Sequence, residues 1–336
     1  MLDAFRALAI VPVVLFHYFD TWVAPSVGGG AARFVVDPTS PFSYGWLGVE
    51  FFFMISGFVI FMSLQRTASI ADFAVHRFAR LYPALIVCCF LTFLLVPAVG
   101  GQVVPPSYKA IVPSLFLVSD YLKLQWVDGG YWSLAYEVTF YFWVALAYFY
   151  IRRQFVPALA IFTVLSAALP QFAHITRYSW LCAPYMPFFT FGIACYLRFA
   201  AGRWSRDAVV VGVSSFGAYL LAWHSQDFHV HLGVAAMALV FFAFLGGRLS
   251  WLARPLLVRF GQASYSLYLL NGSLGWALLS SLYLHTTLRQ VFAIPIVFAL
   301  MIVASQAMYA FVERPTRATI VQLYKRRTAY LAAAAG

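Results

Sequence analysis

Charge is what this 336-residue chain has least of: Asp, Glu, Lys and Arg make up only 10% of it. A soluble domain carries about a quarter charged residues and is about half apolar. The 63% hydrophobic content and the mean hydropathy of +0.83 therefore exclude a soluble globular protein and indicate a polytopic membrane chain. Cysteine is scarce as well. Cys88, Cys89, Cys182 and Cys195 all sit in apolar runs without metal-ligand spacing, which gives no basis for a zinc site or a disulfide framework and reads as buried small hydrophobes. Internal repeats are lacking, as are paired Gly/Pro-broken helices in matching halves, the usual mark of a transporter site. The N-terminus shows neither a lysine cluster nor an A-x-A cleavage site, so it is expected to be a retained span.

What the chain does have is a succession of apolar runs. Ten helices are expected, at 4–22, 44–63, 81–99, 131–151, 155–170, 180–199, 208–223, 232–247, 260–282 and 291–312. The fold class is thus an all-α membrane helix bundle, a single domain over 1–318 followed by a basic tail over 319–336. Runs shorter than the ~20 residues of a perpendicular span call for tilt, kinks or longer ends. The apolar segment 111–118 is too short to cross and is expected to lie in the interface or re-enter.

A formal net charge of +11 would suit nucleic acid, but its distribution argues otherwise. With the N-terminus inside, 17 of the 22 Lys and Arg fall on the inner side, mostly in short connections. That asymmetry places both termini in the cytoplasm and explains most of these cations without any further role. The outer run "HSQDFHVH" reads as a solvated loop, since its spacing fits no metal-ligand set.

Three ionisable residues interrupt the apolar runs near one depth: His17, Glu50 and Glu137. All lie roughly 7–9 Å below the outer boundary at 1.5 Å of rise per residue. A charge in hydrocarbon costs ~3 kcal/mol, so such groups face a bundle interior or a water-filled cavity. For each, the alternative is a buried hydrogen bond that pins helices together. Arg6 precedes His17 by a separation within about 20° of three full turns, so the two share a helix face roughly 16 Å apart. A cation at the inner edge and a proton acceptor near the outer one suit a passage for a long substrate with an anionic head.

Six segments in order resemble one family. They are "DAFRALAIVPVVLFH" (3–17), "GWLGVEFFFMISGFVI" (45–60), "FAVHRFARLYP" (73–83), "YWSLAYEVTFYF" (131–142), "GQASYSLYLL" (261–270) and "FVERP" (311–315). Each is weak alone, but together the chain resembles the membrane-bound acyltransferase family 3 over nearly its whole length. The resemblance implies a stand-alone enzyme of the bacterial inner membrane, similar to the exopolysaccharide-production subgroup. It implies transfer of an acyl group, most often acetyl, from cytoplasmic acyl-CoA to a sugar hydroxyl of an exported glycan, which can be lipid-linked and handed on by polysaccharide-assembly proteins. It also implies catalytic weight on His17 and Arg6. Asn271 departs from the pattern: many members carry a histidine at or next to this position, and an amide cannot shuttle a proton.

The residues fit that chemistry. A sugar hydroxyl needs a base, and an imidazole, ordinarily titrating near ~6.5, is the usual one at neutral pH. His17 is expected to take the proton, with Glu137 orienting the imidazole as a carboxylate does in a triad. Glu137 could instead pack helices through Tyr136 or Tyr141. Glu50, Ser56, Trp132, Ser133 and Asn271 are expected to shape the substrate pocket. Arg6, Arg77 and Arg80 are expected to grip the donor phosphates, the last two as an i, i+3 clamp if helical. No metal is expected. The competing class is a transporter or flippase for a lipid-linked sugar or polyol, where intramembrane Glu and His relay protons.

Overall fold

The computed structural model describes residues 1–19, 21–24, 33–36, 42–100, 103–172, 179–286 and 290–334. In chain order these form α1 (Leu2–Phe19), a ribbon of β1 (Thr21–Ala24) and β2 (Arg33–Val36), α2 (Gly48–Leu64) and α3 (Ile70–Val99). Two short helices follow, α4 (Ile111–Leu115) and α5 (Ser119–Leu122), then α6 (Trp132–Tyr150), α7 (Phe155–Phe172), α8 (Met186–Ala201), α9 (Arg206–Trp223) and α10 (Phe228–Leu245). The last part holds α11 (Pro255–Gln262), α12 (Ser264–Asn271), α13 (Ser273–His285), α14 (Gln290–Met308) and α15 (Arg314–Ala334).

Apart from the small ribbon, the architecture is all-α, and each of the ten expected helices has a counterpart. Among the described residues, 6 helices are long and apolar enough to cross a membrane, or 7 if the bent α12–α13 pair is one span. The chain is a multi-pass membrane protein. The segment at 111–118 forms only the short helix α4 and the turn after it.

Three helices depart from expectation. The third begins at Ile70 rather than at 81, because Ser69 caps it by accepting from the Asp72 amide at 3.1 Å. Its 30 residues rise about 45 Å, more than the ~30 Å of hydrocarbon, so Arg77 and Arg80 ride on the helix itself. The expected helix at 260–282 is broken, with a 55° bend between α12 and α13. Asp128 is lodged at the break, accepting from the Ser273 amide at 2.7 Å and the Gly130 amide at 2.8 Å. A Cβ on Gly272 would strike that carboxylate. Finally, the chain does not stop being helical near 312. A π-turn over Tyr309–Glu313 links α14 to α15. Glu313, Arg314 and Pro315 therefore join two helices. Thr316 donates its hydroxyl to the Val312 carbonyl, and Pro315, lacking an N–H, falls in the first turn of α15 where it is tolerated.

The chain divides into two compact units, one of residues 1–22, 35–66 and 132–261, the other of 23–34, 67–131 and 262–336. In the first unit, α2 packs against both α1 and α8 through glycines. Side chains at Gly45 and Gly48 would overlap the Pro12 and Ala9 carbonyls of α1. At Gly57 and Gly192 they would overlap the Phe189 and Met54 carbonyls. Small residues let backbones approach this closely in a membrane, where lipid supplies no hydrophobic drive between helices. Phe5, Phe51, Phe58, Phe241 and Phe244 interlock beside this junction. In the second unit, α3 is tied to the broken helix by the Tyr265 hydroxyl donating to the Leu81 carbonyl at 3.0 Å. The Ser281 hydroxyl likewise donates to the Val99 carbonyl at 2.9 Å.

Candidate functional site

Within the first unit, α1 carries both Arg6 and His17 on one uninterrupted helix, with Pro12 between them. Arg6 pairs with Asp3 one turn earlier at 2.7 Å. His17 is half-buried in the last turn, its ring 5.8 Å from that of Phe16. Glu50 lies in the first turn of α2 and is 1% exposed. Its Oε2 has no hydrogen-bonding partner among the described residues.

Glu137 holds the best-defined geometry. It accepts from the Ser56 hydroxyl of α2 and from the Tyr141 hydroxyl one turn along its own helix. Both donors are neutral hydroxyls that hold the carboxylate in place. The structure thus joins Glu137, expected to orient His17, to Ser56 of the expected pocket. The Tyr141 bond stays within α6, whereas the Ser56 bond crosses between helices. Trp132 stands one helical turn before Tyr136, and its ring packs 5.3 Å from Tyr185 and 6.5 Å from Phe53. Ser133 is buried beside it in sequence. These aromatics form a rigid wall of wide, flat faces, the kind of surface that suits a sugar ring or a thioester arm.

The second unit holds the other three expected residues. Arg77 lies over the Phe73 ring at 5.6 Å, and Arg80 follows one turn later on α3, so the i, i+3 clamp geometry is present. Asn271 is fully buried at the end of α12. Its amide donates to the Leu267 and Tyr268 carbonyls at 2.9 and 2.8 Å, which closes the helix ahead of the bend.

One feature, Asp128, was not singled out from the sequence, and another, Glu313, was marked only as part of the FVERP segment. Asp128 is completely buried, and burial pushes its carboxyl above the usual carboxylate range, while the Gly130 and Ser273 amides pull it back down. The "DGG" turn at 128–130 is its only sequence signal. Glu313 is buried and accepts from the Ser266 hydroxyl, a bond that ties the π-turn to α12.

Comparison with known proteins is consistent in kind. A family model described as an acyltransferase domain matches residues 1–309. Acyltransferase MdmB of Streptomyces mycarofaciens is 30% identical over 115 residues, covering 32% of this chain and 30% of that protein. O-acetyltransferase OatA of Staphylococcus aureus is 28% identical over 187 residues, 50% of this chain and 28% of OatA. An O-acetyl transferase of Shigella phage Sf6 is 28% identical over 138 residues, 37% of this chain and 41% of the phage protein. In each case less than half of the relative is covered. No solved structure matches.

Proposed function

Because this chain belongs to acyltransferase family 3, whose model spans residues 1–309, we propose that it moves an acyl group from acyl-CoA to a hydroxyl of an exported or surface glycan. Acetyl is the favoured group, since two of the matched relatives are named for acetyl transfer. The bacterial inner membrane is the compartment in which a cytoplasmic donor and an exported acceptor meet through one protein. A lipid-linked acceptor and polysaccharide-assembly proteins are its natural partners.

The observation that carries the reading is α1, one helix bearing Arg6 and His17 roughly three turns apart in a family of acyl transfer. His17 takes the proton of the acceptor hydroxyl as that oxygen bonds to the thioester carbonyl carbon. The carbon–sulfur bond then breaks, and the imidazolium returns its proton to the departing thiolate. Glu137 favours the charged imidazole electrostatically. Ser133 is a neutral donor suited to a developing oxyanion, and Glu50 and Trp132 bound the acceptor pocket. Arg6, Arg77 and Arg80 are suited to the donor's phosphates, since guanidinium groups bind phosphate oxygens in pairs.

The test is transfer of labelled acetyl from acetyl-CoA by purified protein, with surface glycan from cells that lack the gene as the acceptor. Labelling is expected with the native chain and absent with His17→Ala, although the variant still inserts. Equal labelling by the two overturns the role of His17, and no labelling with any acyl-CoA overturns acyl transfer and favours transport.

A further inference from the structure

The sequence repeats one spacing at two distant places. Arg77 and Arg80 on α3 are separated as are Arg314 and Arg317 on α15, and the two helices pack together within the second unit. A cavity of about 420 Å³ lies there, lined by His76, Arg80, Glu313, Arg314, Arg317 and Gln322 among others. Its volume falls within the ~300–1,000 Å³ usual for small-ligand sites. Arg317 also feels the like charges of both Arg80 and Arg77.

The charge balance of this lining is uneven. Three guanidinium groups face one carboxylate, Glu313, which already accepts from Ser266. His76 is turned to Asp72, with its Nδ1 2.8 Å from the Asp72 carbonyl and 3.1 Å from its carboxylate. Like charges gathered without a matching counter-charge repel, and the repulsion is relieved when an anion enters. The π-turn just before Arg314 is a further sign, since such turns often mark functional positions.

We infer that Arg314 and Arg317 complete, with Arg80, a phosphate-binding cavity. Guanidinium groups approaching from two helices suit a tetrahedral anion with several acceptor oxygens better than a planar carboxylate. Two sources carry that chemistry: the nucleotide end of acyl-CoA, which rests on the donor reading above, and the headgroup of an anionic lipid. Arg314 and Arg317 thereby take on a ligand role beyond the orientation signal they give in the sequence.

The test uses the full chain in nanodiscs of zwitterionic lipid, with calorimetric titration of coenzyme A. Arg314→Ala and Arg317→Ala are each expected to weaken binding about tenfold, with Arg317→Lys recovering part of the loss. Arg326→Ala, outside the cavity, is expected to bind as the native chain does. If an alanine variant fails to fold, Arg317→Gln replaces it. Native mass spectrometry with phosphatidylglycerol against phosphatidylcholine forms the second arm. Unchanged coenzyme A binding with selective loss of phosphatidylglycerol in the variants assigns the phosphate to lipid. No change in either ligand overturns the inference. His17→Ala separates the two proposals: native binding of coenzyme A by a chain that transfers nothing, with or without His17, sinks the acyltransferase reading and leaves the cavity standing.

Discussion

Ser56 on α2 donates its hydroxyl hydrogen to the Glu137 carboxylate on α6, a bond between residues 81 apart in the chain. Tyr141 donates to the same oxygen, so the carboxylate is held from two directions. Replacement by Gln keeps the size and one acceptor oxygen but removes the charge. If Glu137 supports a charged His17, Glu137→Gln is expected to lower acyl transfer by about 10²-fold or more while leaving coenzyme A binding unchanged. Ser56→Ala, which keeps the charge, is expected to cost about tenfold or less. Transfer rates and Kd for coenzyme A, measured on the same preparations, check both. Equal activity of Glu137→Gln and the native chain would leave Glu137 with helix packing alone.

The crossing of α2 and α8 gives a stability prediction. Gly57 and Gly192 each abut a backbone carbonyl of the opposing helix, which cannot swing aside as a side chain could. Gly192→Ala is therefore expected to destabilise the fold by about 1–3 kcal/mol and Gly57→Val by more. Gly217→Ala meets open space and should raise stability slightly or leave it unchanged. Thermal midpoints in one detergent decide the order.

Asp128 is expected to be structural. Asp128→Ala strands the amides of Ser273 and Gly130, at a cost of about 2–4 kcal/mol. Gly272→Ala pushes a methyl group against the same carboxylate and is expected to be destabilising alone but milder when combined with Asp128→Ala. A double-mutant cycle followed by thermal unfolding reads the coupling. Simple additivity would mean that the carboxylate does not hold the bend.

One pH dependence has a definite sign. Asp227 caps α10, and the Val230 amide, donating at 3.0 Å, is the main reason its carboxyl is held below the ordinary aspartate value. Tyr44 donates to it as well, at 3.2 Å. A depressed folded-state value means stability that is present above the unfolded value of about 3.9 and lost as pH falls through the folded one. The native chain should therefore lose more thermal stability than Asp227→Asn on going from about pH 5 to about pH 3. The difference will be small, since the group is exposed.

Most helices could be read from the sequence because an apolar run of span length has few other fates. The start of α3 could not be read that way. Asp72, His76, Arg77 and Arg80 break the apolar run, and only the Ser69 cap shows that the helix begins earlier. The bend at Gly272 was hidden because residues 264–285 look continuous, while the group that holds the break arrives from Asp128. Glu137 and Tyr141 are i, i+4 neighbours, so their bond was legible from helical period alone. Arg314 and Arg317 were legible only as orientation signals. A cation at an inner helix end satisfies that rule without revealing whether a cavity lies beside it.

The π-turn at Tyr309–Glu313 has a consequence for the whole C-terminal segment. Widening one turn amounts to slipping a single extra residue into the spiral, which rotates everything downstream by about 100° relative to α14. Chain length between Met308 and Arg314 is thus a dial that sets the compass bearing of the terminal cations. Removal of one residue there would preserve every side chain beyond it and still aim them at a different horizon.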